Sequence, residues 1–128
     1  MNGLDEYQRT AVMSATPAQL VTMLYDRLLL DLHRAEQAQL EARWLEAGAQ
    51  LRHAQDIVAE LQSSLDRSAW DGAEGLAAVY EFVFRSLVDA NLNRDVELTR
   101  DAIRHLEPLR TAWHEAAAGL RRGGADVG

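Results

Sequence analysis

The side chains able to do chemistry are four histidines, 20 carboxylates and 13 arginines, with no cysteine and no lysine. Without thiolates, a metal could be held only by histidine and carboxylate. A carboxylate-bridged pair of metal ions inside a helical bundle needs Glu-x-x-His on two helices, because a spacing of three puts both ligands on one face. The residues three before His33, His53, His105 and His114 are Leu30, Gln50, Ala102 and Thr111, so the pattern is absent. No two histidines stand four apart, no glycine-rich loop could cradle phosphate, and no serine occupies a nucleophile elbow. The expectation is a protein that is not an enzyme and carries no cofactor or metal. His53 merits one alternative. It lies mid-helix in Arg52-His53-Ala54-Gln55, where an exposed imidazole could accept phosphate in a signalling bundle. Ala54 is suitably small, but no cation follows before Arg67, so a solvated helix-face histidine is the favoured reading.

Charge narrows the partners. The formal net charge is −7, and from Trp44 to Gly75 six acids face only Arg52 and Arg67. Duplex nucleic acid wants clustered cations that displace counterions, so no nucleic-acid partner is expected. Residues Met1 to Glu6 lack the basic-then-apolar opening of a signal peptide, and nowhere do about 18 apolar residues run together. A cytoplasmic protein without membrane insertion is expected.

What remains is apolar surface, and helices must position it. No stretch alternates with period two, and the only prolines are Pro17 and Pro108. Thr16-Pro17-Ala18-Gln19 reads as a helix start, with Thr16 as cap, Pro17 where a missing N–H is harmless and Gln19 closing a capping box. The helix it opens gathers Val21, Leu24, Tyr25, Leu28, Leu29, Leu32 and Ala35 on one arc. Met23 and Leu30, a heptad apart, form a second stripe, separated from that arc by Thr22, Asp26 and His33 on one side and Arg27, Asp31 and Arg34 on the other. A second helix, about Leu45 to Leu65, lines up Leu51, Ala54, Val58, Leu61 and Leu65, with Ile57 widening the seam. After a linker through Gly72, a third helix spans about Ala73 to Leu92. Its broad apolar arc holds Leu76, Val79, Tyr80, Val83, Phe84, Leu87, Val88 and Ala90, with Asn91 inside it. A fourth, about Asp95 to Leu120, repeats the seam with Thr99, Ala102, Leu106, Leu109, Trp113, Ala116 and Leu120. Pro108 falls within it, at a cost of about 3 kcal/mol if the helix is continuous, and predicts a kink.

Short connections after Arg43 and Leu92 force neighbours to run antiparallel. The expected fold is all-α: an antiparallel up-down four-helix bundle over residues 16–120. Residues 1–15 form an N-terminal arm that packs along it through Leu4, Tyr7, Val12 and Met13. Residues 121–128 have nothing to bury and are expected to be a disordered tail. The Met23 and Leu30 stripe and the wide arc of Tyr80, Phe84, Leu87 and Val88 exceed one seam; the arm covers them, or they are offered to a partner helix.

Two stretches carry a resemblance. Tyr7 to Asp26 includes Met23-Leu24-Tyr25, and Val79 to Asn91 includes Tyr80 and Leu87-Val88-Asp89-Ala90-Asn91, followed by Asp95 and Leu109-Arg110-Thr111-Ala112-Trp113. In this order they resemble the FliS family, the flagellar export chaperones that handle flagellin. The resemblance implies a bundle that binds the disordered C-terminal segment of flagellin one to one. It implies that binding prevents premature polymerisation in the cytosol and delivers the client to the gate of the flagellar type III export apparatus. The free protein is expected as a monomer or weak dimer. Carried over by position, Tyr7 is the arm tyrosine of client or gate contacts, and Leu24, Tyr25, Tyr80, Leu87, Ala90 and Asn91 are client-binding candidates, joined by Met23, Leu30 and Phe84 from the surplus faces. For Leu24 and Tyr25 a place in the core is the favoured reading, Tyr7 could instead be a staple holding the arm on the bundle, and Asn91 could instead satisfy backbone near a helix end. The chain departs from the family at Arg27, where glycine is common, and at Pro108.

Overall fold

The structure, a computed structural model, describes the backbone of residues 17–127 and the side chains of residues 17–120. The expected cap at Thr16, the arm and Tyr7 lie outside the described residues. Four helices follow in order: α1 (Pro17–Leu40), α2 (Trp44–Ser64), α3 (Ala73–Leu92) and α4 (Val96–Val127). α1 packs on α2 and α4, and α3 packs on the same two, a square arrangement of antiparallel neighbours. Among the described residues there is no strand.

The core is the one the helical periods predict. Tyr25, Leu28, Leu29, Leu32 and Ala35 of α1 meet Leu51, Ala54, Ile57, Val58 and Leu61 of α2. Leu76, Tyr80, Val83, Leu87 and Ala90 of α3 and Ala102 and Leu106 of α4 complete the cluster. Four stripes of about one third of each helix surface thereby leave water together.

The two short connections end their helices alike. Ala42 (φ 56°) and Arg94 (φ 50°) take the left-handed conformation usually filled by glycine. Beyond Ala42, the Arg43 N–H reaches the Ala38 carbonyl at 2.8 Å, and beyond Arg94 the Asp95 N–H reaches Ala90 at 3.0 Å. These are Schellman bonds, satisfying carbonyls that the last turn leaves open.

α4 departs from its sequence pattern. Its helix runs without interruption through Pro108, which faces solvent. The seam turns at its far end: Ala117 is buried, whereas Ala116 and Leu120, the predicted seam residues, are exposed. The backbone is helical to Val127.

Polar burial is the other departure. Asp31, placed by the sequence pattern on a solvated divider, is wholly buried. It accepts from Arg27 Nε at 3.0 Å, and its other oxygen contacts His53 Nδ1 on α2. His53 is therefore half-exposed and tied to a carboxylate, not freely solvated. At the connection end, Thr99 Oγ1 donates to Gln39 Oε1 at 2.7 Å, and Gln39 Nε2 donates to the Ala90 carbonyl at 3.4 Å. That network joins α4, α1 and α3. Among the described residues, every buried side-chain polar atom has a partner, as a buried polar group must if it is not to cost folding energy.

Candidate partner-binding surface

The structure sorts the candidate residues by depth. Tyr25, Tyr80, Leu87 and Ala90 are core residues with essentially no exposed surface. The hydroxyls of Tyr25 and Tyr80 meet at 2.7 Å across the centre of the bundle, and the Tyr25 ring lies 6.4 Å from that of Trp113. Burial pushes both phenols above their usual range, because the phenolate has no water to solvate it. These residues shape the bundle from within. Met23, Leu24, Phe84 and Asn91 are half-buried, and Leu30 is 42% exposed. Leu24 and Phe84 rest against the edge of the core.

Two concave regions lie at opposite ends. At the end opposite the two short connections, Trp70, Leu76, Leu109, Ala112, Trp113 and Ala116 line a pocket of about 230 Å³ between α3 and α4. A neighbouring pocket of about 170 Å³ shares Trp70, Leu76 and Trp113 and reaches Val21, Leu61, Leu65 and Tyr80. Together they make one largely apolar groove around the Trp113 indole. The groove depends on Gly72: a Cβ there would stand 1.8 Å from the Trp70 ring, so only glycine lets that ring fold back over the linker.

At the connection end, Gln39, Trp44, Leu45, Ala47, Leu51, Ala90, Asn91, Leu92 and Arg94 line a pocket of about 450 Å³. Leu45 and Leu92 stand on its lips, 88% and 74% exposed. The Arg94 guanidinium lies 5.1 Å above the Trp44 ring.

The structure thus brings Tyr80 to the first region and Ala90 and Asn91 to the second, while Met23, Leu30 and Phe84 line neither. Sequence reasoning missed Trp70, Trp44, Leu45 and Leu92. Trp70 could have been flagged as a large aromatic in a linker of turn residues. The others sit at helix ends, where periodicity fades.

Among the described residues no group of three or more His, Asp and Glu side chains could hold a metal ion. No helix among them is long and apolar enough to cross a membrane.

Comparison with known proteins gives this surface a context. The profile of the family described as "Flagellar protein FliS" matches residues 1–120. The flagellar secretion chaperone FliS of Escherichia coli K12 is 35% identical over 109 residues, covering 84% of this chain and 80% of that protein. The protein of the same name from Bacillus subtilis 168 is 30% identical over 121 residues, covering 94% and 90%. A crystal structure of a bacterial flagellar chaperone superposes with a TM-score of 0.74 at 16% identity, over 92% of this chain and 99% of that one, a likeness of fold.

Proposed function

This chain belongs to the FliS family and has a chaperone role in flagellar export; we propose that it binds the disordered C-terminal segment of flagellin in the cytosol. Binding keeps flagellin from polymerising early and carries it to the gate of the flagellar type III export apparatus. The observation that supports this most directly is the apolar groove around Trp113, with exposed Trp70 on its rim. A segment that folds on binding must offset its ordering entropy, and it does so by laying apolar side chains into preformed grooves spread over a large surface. A bundle with one groove at each end suits a client that wraps around it. Tyr80, Leu87 and Ala90 would act from beneath, as the floor of that surface, and Tyr7 from the arm.

Calorimetric titration with the C-terminal segment of the same organism's flagellin, at two temperatures, tests the reading. One-to-one binding with a large negative heat-capacity change is expected. A Trp70→Ala variant should weaken it without loss of fold, since Trp70 is half-exposed. Absence of binding by the wild type would refute the proposal.

A further inference from the structure

The pocket between the two short connections differs from the Trp113 groove in having an arginine, Arg94, in its lining. In a chain of net charge −7, Arg52 and Arg94 have no carboxylate partner among the described residues. Several nearby acids have other partners. Glu41 and Glu46 are held by Arg43, Glu97 by Arg100, and Asp95 accepts the Glu97 N–H at the start of α4. Arg94 lines the pocket. Arg52 reaches the same rim: its Nη1 lies 3.1 Å, and Asn91 Oδ1 3.2 Å, from where a Gly48 Cβ would stand. A guanidinium and an amide therefore converge over a glycine that leaves them room, beside a wall of Trp44, Leu45, Leu51 and Leu92.

Arg94 also holds a left-handed backbone that glycine would adopt with less strain. Its side chain stacks on Trp44, which fixes the guanidinium at the pocket instead of leaving it to wander in solvent.

We propose that this pocket is a charge-reading docking site: it takes an acidic, apolar-flanked stretch of the flagellin client, with a side-chain carboxylate between Arg52 and Arg94. Adjoining apolar side chains lie on Leu45 and Leu92. The carboxylate belongs to a residue within the segment and not to a chain terminus, because exposed leucines stand on both lips and a chain that stopped at the arginines would cover only one. This inference rests on the flagellin-binding reading and adds a sequence preference to it. Apolar grooves alone would accept many amphipathic segments, whereas two unpaired arginines select the acidic ones.

The test uses the full chain and the C-terminal segment of the same organism's flagellin, titrated at low and at moderate salt. The double variant Arg52→Gln with Arg94→Gln is expected to bind about tenfold more weakly at low salt and to lose much of the salt dependence. Replacing the client's Asp and Glu residues one at a time by Asn and Gln should identify one that weakens binding to the wild type but not to the double variant. Leu45→Ser should also weaken binding, and its near-complete exposure leaves the fold untouched. Equal affinity and equal salt dependence for wild type and double variant would overturn the charge-reading site while leaving flagellin binding intact. Failure of the wild type to bind the segment would remove both.

Discussion

Removing one hydroxyl from the tyrosine pair should cost more than removing both. Tyr80→Phe leaves the buried Tyr25 hydroxyl without its partner, an expected loss of about 1 kcal/mol in urea unfolding, whereas the double variant Tyr25→Phe with Tyr80→Phe should be closer to neutral. The pair also sets an alkaline limit. Both folded-state pKa values are raised by burial, so their contribution is complete below about pH 10, where unfolded tyrosine titrates, and is lost as pH climbs toward the folded values. The chain has no lysine or cysteine to titrate in that range. Unfolding measured at pH 8 and pH 11 should show the wild type weakening and the double Phe variant holding. Asp31→Ala should cost about 2 kcal/mol, by removing its bonds to Arg27 and His53 and opening a buried gap. Tyr25 was legible as a core residue from its place on the α1 arc. Asp31 was not, because a carboxylate next to a seam is ordinarily solvated, and only the neighbouring helix supplies the histidine that permits its burial. Gln39 and Thr99 bond across 60 residues of chain; Thr99 was legible as a seam position, but no local pattern in α1 announces its partner.

The helices were the most legible elements, because apolar periodicity acts over their whole length and tolerates single departures. α3 was placed within its observed bounds, and α2 within a residue of them. Helix ends were harder. Ala42 and Arg94 do the work of a glycine without being one, so the sequence carries no stop signal there. Ala42→Gly should therefore stabilise the protein by about 1 kcal/mol, relief of the left-handed strain outweighing the entropy of glycine in the unfolded chain. A rise in the thermal midpoint checks it. Arg94→Gly would gain similarly in stability but would forfeit the Trp44 stack. α4 shows the limit of reading a seam forward: the heptad that fits as far as Leu106 names Ala116 and Leu120, yet Ala117 is the residue that turns inward.

At the scale of the molecule, four helices with short connections leave little choice but a square antiparallel bundle, and that much followed from the sequence. The grooves did not. They arise where three or four elements converge, at Trp70, Leu76 and Trp113 on one end and Trp44, Asn91 and Arg94 on the other, and no single helix encodes them. Among the described residues, the seam between the first and last helices carries most of the ion pairs that cross between helices. Its flank is stitched by Arg110 to Asp26 at 2.7 Å, His114 to the same carboxylate at 2.7 Å, Arg100 to Glu36 at 2.8 Å and His33 to Glu107 at 3.1 Å. Exposed pairs of this kind are individually weak and are screened by salt. They also join the residues farthest apart along the chain, so closing that seam requires the largest loop.

The consequence belongs to time. The seam between α1 and α4 is expected to be the last to close as the chain folds, because it joins the residues farthest apart in sequence. Amide hydrogen exchange should be faster in α4 than in α2, and faster still in 0.5 M salt. Uniform protection along all four helices would show that the bundle opens only as a whole. The polar stitching marks where such an opening line runs.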